Sequence, residues 1–126
     1  MFIERLYQQK PCVFSIEVFP PKQTANIQKL YSALEEMAKL NPDFISVTYG
    51  AGGRNLGVST CEIASHIQND LHINALAHLT CVGATPESIA RALDDLHAAG
   101  VHNVLALPGD ANPDLPFSKE YPHGRD

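Results

Sequence analysis

Four short apolar runs, at 13–19, 44–49, 75–81 and 101–107, recur about every 30 residues, and a segment of helical spacing fills each interval. Each run is rich in β-branched and aromatic residues, so it reads as a strand. A hairpin needs only a few linking residues, whereas parallel strands need a crossover of a dozen or more. The spacing therefore selects an α/β chain in the order β-α-β-α-β-α-β.

The three crossovers carry helix punctuation as well as period. In the first, Ile27, Leu30, Tyr31, Leu34, Met37 and Leu40 make one stripe, with Thr24 as N-cap and Asn41 and Pro42 ending it. The second opens on Ser59, Thr60, Cys61 and Glu62, the pattern of a capping box, and places Ile63, Ile67 and Leu71 on one face. The third has Thr85 as N-cap, Pro86 at the first helical position, Ile89, Leu93 and Leu96 directed inward, and Gly100 just past the end.

Two architectures accept this order: a doubly wound open sheet, and a TIM (β/α)8 barrel of which about four units are present. Strand polarity favours the half barrel. Ser15 with Glu17, Ser46 with Thr48, and His78 with Thr80 are polar at period two, as expected of side chains pointing into a lumen. No Gly-x-Gly-x-x-Gly follows the first strand, which runs into Phe19, Pro20 and Pro21. Residues 1–126 read as a single partial domain, with 108–126 a loop-like tail marked by Pro108, Gly109, Pro113, Pro116, Pro122 and Gly124.

Composition narrows the partners. A chain with 44% hydrophobic and 18% charged residues is globular, and a net charge of -5 without a basic run argues against nucleic acid or an acidic membrane surface. Cys12, Cys61 and Cys81 are too widely spaced for a disulfide framework or a metal site, so no metal is expected and a reducing cytoplasm fits. No signal peptide or membrane span is recognised. A small-molecule ligand is the default.

Glu17 is the most informative residue, because a carboxylate among Phe14, Ile16, Val18 and Phe19 is costly to bury without purpose or partner. Facing a poorly hydrated pocket it would serve as a general acid; paired with a Lys or Arg it would be structural. The Gly-rich stretch at 48–53 is either a ligand loop or a tight turn. His78, Thr80 and Asp110 fall at or beyond strand ends, where barrel enzymes keep their chemistry, yet a strand His is also a common core or rim residue and an Asp after Pro-Gly a common turn cap. His66, His72, His97, His102 and His123 read as surface residues.

Together the strings FSIEVFPPK (14–22), PDFISVTYGAGG (42–53), AHLTCVG (77–83) and NVLALPGD (103–110) resemble the successive strand-end motifs of methylenetetrahydrofolate reductase, over roughly residues 12–110. The resemblance implies a cytoplasmic flavoprotein of one-carbon metabolism with FAD as cofactor. NAD(P)H reduces the flavin and leaves, and 5,10-methylenetetrahydrofolate then takes the hydride to become 5-methyltetrahydrofolate. By the same resemblance Glu17 is the acid that helps open the methylene bridge. Thr48, His78, Gly109 and Asp110 match flavin contacts, with Asp110 also near the folate ring. Two departures stand out: Pro108 occupies the place of a flavin-contacting Arg, and the sequence stops where the family continues through four more units. A half barrel with open edges is expected to be inactive alone and to form a homo-oligomer. The alternative is a non-catalytic half-barrel module that self-associates or binds a partner; an unrelated barrel hydrolase using Glu17 and Asp110 as paired carboxylates, as glycosidases do, ranks last.

Overall fold

In a computed structural model of the chain, residues 1–49 and 59–109 are described. The sheet has four strands: β1 (Ser15–Val18), β2 (Phe44–Val47), β3 (Asn74–Thr80) and β4 (Asn103–Leu107). They lie in sequential order, and every neighbouring pair is parallel. Register places Glu17 opposite Ser46, Ser46 opposite Leu76, and His78 opposite Leu105.

The helices are α1 (Ile3–Gln9), α2 (Ile27–Ala38), α3 (Thr60–Ser65) and α4 (Pro86–Ala98). From α2, α3 and α4, Leu34, Ile63, Ala64 and Leu96 pack in one cluster with Val18, Ile45, Val47, Ala75 and Ala77 from the strands. One sheet face thus takes all three crossovers, as in a wall of a (β/α)8 barrel, and the other face carries the polar alternates Glu17, Ser46 and His78 together with Phe44 and Leu76. This partial TIM-barrel architecture matches the fold read from strand polarity.

Local chemistry explains the ends. Ser59 accepts a hydrogen bond from the Glu62 N–H at 3.0 Å and so caps α3. Thr85 and Ser88 form a reciprocal capping box on α4, with Pro86 at its start. Beyond α4, the Val101 N–H returns to the Leu96 carbonyl and the Gly100 N–H to the His97 carbonyl, a Schellman stop with Gly100 at φ +79.

Several expectations need correction. Thr24 does not cap α2: it begins a 3-10 turn, Thr24–Asn26, and the N-cap is Asn26, which makes no side-chain cap bond. Leu93 is 41% exposed rather than inward, because α4 lies at the end of the wall with no following helix among the described residues to cover that side. His66 is not a surface residue: it begins the π-helical turn His66–Asp70 that continues α3, and its ring stacks on Tyr31 at 4.2 Å. Its Nδ1 meets Asp70 Oδ2 at 2.7 Å.

Helix α1 has no clear signal in the sequence pattern. Ile3 and Leu6 bury against Phe44, with Val13 and Leu76 beside them, beneath the strands. Asn103 fastens this segment to β4, accepting from the Ile3 N–H at 2.9 Å and donating to the Met1 carbonyl at 3.1 Å. The tail expected over 108–126 lies outside the described residues from 110 onward.

Candidate active site

Alternation along the strands directs Ile16 and Val18 to the helices and Glu17 to the opposite face. The same parity brings Ser46 from β2 and His78 from β3 to that face. The three side chains meet: the Ser46 hydroxyl donates to Glu17 Oε1 at 3.5 Å, and His78 Nε2 lies 3.6 Å from the same oxygen. Ser46 and His78 are buried, whereas the Glu17 side chain is 51% exposed. The dry pocket expected around Glu17 is therefore not built by the described residues; a hydroxyl and an imidazole are its polar neighbours instead. Water access keeps any charge attraction between Glu17 and His78 small.

Thr48 follows β2, and its N–H continues the ladder to the Val18 carbonyl at 3.0 Å. Its own carbonyl accepts from the Thr60 hydroxyl at 2.9 Å, tying the end of β2 to the start of α3. Gly109, at φ +87, passes so close to β3 that a Cβ there would lie 2.6 Å from Thr80 Cγ2 and 2.7 Å from Val82 Cγ1. A glycine is needed on backbone and steric grounds alike. Pro108 just before it is exposed. Asp110 and the glycines at 50, 52 and 53 lie outside the described residues.

The structure thus brings Glu17 and His78 together and puts Thr48 just past the end of β2 and Gly109 just past the end of β4, with β3 between them. Ser46 was visible only as an inward polar alternate; the register that makes it Glu17's partner requires the sheet. On the helix side, a separate cleft of about 230 Å³ is lined by Tyr49, Thr60, Cys61, Leu79, Arg91 and Asp95. Burial pushes the Cys61 thiol up from its ordinary value, and the Asp95 and Glu62 carboxylates push the same way, which suits an inert packing thiol. Among the described residues, no group of three or more His, Cys, Asp or Glu could hold a metal, and no helix is long and apolar enough to cross a membrane.

A family model described as methylenetetrahydrofolate reductase matches residues 2–123. The chain belongs to the methylenetetrahydrofolate reductase family. Methylenetetrahydrofolate reductase (NADH) 1 of Arabidopsis thaliana is 36% identical over 124 residues, which are 98% of this chain and 19% of that protein. The probable methylenetetrahydrofolate reductase (NADH) of rice, Oryza sativa subsp. japonica, is 38% identical over 90% of this chain and 17% of its own. The 5,10-methylenetetrahydrofolate reductase of Escherichia coli strain K12 is 34% identical over 99 residues, 79% of this chain and 33% of its own. The chain therefore spans between about a sixth and a third of the length of these curated relatives of the reductase family.

Proposed function

We propose that this chain supplies the first strand-end residues of a cytoplasmic, FAD-dependent reductase that converts 5,10-methylenetetrahydrofolate to 5-methyltetrahydrofolate with NAD(P)H. The observation that carries the reading is the convergence of Ser46 Oγ and His78 Nε2 on Glu17 Oε1, at 3.5 and 3.6 Å, on the sheet face away from the helices. Membership of the reductase family supports the substrate class.

The residues fit a flat cofactor to the extent that the exposed face offers Leu105, the register neighbour of His78, as apolar surface. Gly109 lets the end of β4 pack directly on Thr80 and Val82. Thr48, His78, Gly109 and Asp110 are the residues that would hold FAD. When bound, FAD supplies the hydride transfer between nicotinamide and folate. The protein's part is positioning and proton supply. Glu17, as the acid, donates its carboxyl proton to the folate nitrogen that leaves the methylene bridge, producing the iminium that accepts hydride. Asp110 assists on the folate side. The half-exposed position of Glu17 leaves room for substrate to cover it, and that covering would remove the water now competing for its carboxyl.

Two titrations test this reading, each followed by flavin fluorescence. The polypeptide that joins this chain to a complete barrel should bind FAD stoichiometrically, and His78→Ala should weaken that binding; a complete polypeptide that takes up no flavin contradicts the proposal. This four-strand chain by itself should bind weakly, because Pro108 offers neither a guanidinium nor an N–H. Submicromolar binding by the monomer would show that Thr48, His78, Gly109 and Asp110 suffice.

A second reading, a non-catalytic half-barrel module that self-associates, is favoured by the exposure of Phe14, Phe19 and Leu105. Sedimentation velocity distinguishes it, since it requires a homo-oligomer that persists without flavin or folate.

A further inference from the structure

We propose that Ser46 is a positioning residue, which holds the Glu17 carboxyl over the middle of the sheet through its hydroxyl. The proposal deepens the acid role assigned above to Glu17 and rests on it for its functional meaning.

Glu17 stands on β1, at the edge of the described sheet, with its side chain 51% exposed. A glutamate so placed is ordinarily free to turn into water, because its three side-chain torsions carry considerable rotamer entropy. Its polar contacts among the described residues both lie toward the sheet centre: Ser46 Oγ at 3.5 Å and His78 Nε2 at 3.6 Å. Ser46 is the residue directly opposite Glu17 in the parallel register. His78 stands two residues beyond Leu76, the register partner of Ser46 on β3. The hydroxyl therefore lies on the way from Glu17 to His78 and turns the carboxyl toward β3.

Packing alone does not call for serine here. Ser46 is 6% exposed, between the fully buried Ile45 and Val47 in a strand where every residue is buried. A hydroxyl at such a position loses its hydration and needs a partner, and the partner found is Glu17. Alanine would fill the space without that cost. Serine also suits the chemistry, because one hydroxyl donates to a carboxylate and accepts from a carboxylic acid. The same side chain can hold Glu17 before and after it gives up its proton, which an ammonium group could not do.

Side-chain scalar couplings of Glu17 in the isotopically labelled chain measure how firmly it is held. The wild type should show one dominant rotamer. In Ser46→Ala the ratio of held to free rotamers should fall about two- to fivefold, the population equivalent of a long hydrogen bond at 3.5 Å. Ser46→Thr, which restores the hydroxyl, should recover it, and Glu62, remote from this face, should not respond. If Ser46→Ala does not fold, Ser46→Cys, similar in size and a weaker donor, gives the same comparison. A Glu17 side chain already averaging freely in the wild type overturns the proposal, as does one that stays held in Ser46→Ala. The readout needs no catalysis, so it separates from the acid assignment. A held Glu17 whose loss leaves the folate step intact would refute the acid and leave the positioning contact standing.

Discussion

Replacing Gly109 by alanine should destabilise the fold by two additive routes. The backbone sits at φ +87, where an L-residue costs roughly 1–2 kcal/mol. The new Cβ would also meet Thr80 Cγ2 at 2.6 Å and Val82 Cγ1 at 2.7 Å. Carbon pairs prefer about 3.5–4.0 Å, so the ends of β3 and β4 must part by nearly an ångström. Overpacking of that kind costs about 1–3 kcal/mol, which makes the total about 2–5 kcal/mol. Gly100 supplies the control. Its φ is +79, but a Cβ there would find only Asn69 Oδ1 at an ordinary 3.5 Å, so Gly100→Ala should cost the backbone strain alone. Urea denaturation compares the two through the transition midpoint at constant m value. Combining Gly109→Ala with Thr80→Ser and Val82→Ala removes the atoms in the way and should recover the excess in a mutant cycle. Equal losses for the two glycines, within about 0.5 kcal/mol, would refute the close approach.

Asn103→Ala should release the α1 segment, since the amide both accepts from Ile3 and donates to Met1; the loss should be about 1–3 kcal/mol, with hydrogen-exchange protection falling first in α1. The carboxyl of Asp43 is held below its ordinary 3.8, first by the Lys10 hydrogen bond and then by the Phe14 N–H. A depressed folded value means the stabilisation is complete above the unfolded value and fades as pH falls through the folded one, so the stability lost below about pH 3.8 should shrink in Asp43→Asn, as acid titration of the unfolding midpoint would show.

The strands and crossovers were legible because their signals are local. A stripe such as Ile27, Leu30, Tyr31 and Leu34, or Thr85 followed by Pro86, states its own structure within one or two turns. The first helix was not legible: seven residues with only Ile3 and Leu6 buried carry little period, and they are helical because Phe44 and Asn103 receive them. His66 was misread for a related reason, since its burial comes from Tyr31 on a different helix. Within the candidate site, polarity at period two was enough to direct Glu17, Ser46 and His78 to one face. Their meeting was not, because it depends on the register Glu17 to Ser46, and no residue spacing within a single strand encodes a register with its neighbour.

Rapid-mixing kinetics on Glu17→Gln, in the polypeptide that joins this chain to a complete barrel, test the acid assignment most directly. Glutamine keeps the size of the side chain and can still bond to Ser46, but it has no proton to give. The folate-dependent half-reaction should slow by about 10²-fold or more, while reduction of the bound flavin by NAD(P)H, which needs no such donor, should change little. An equal loss in both half-reactions would make Glu17 a structural or flavin-positioning residue, and an unchanged folate step would remove it from the mechanism.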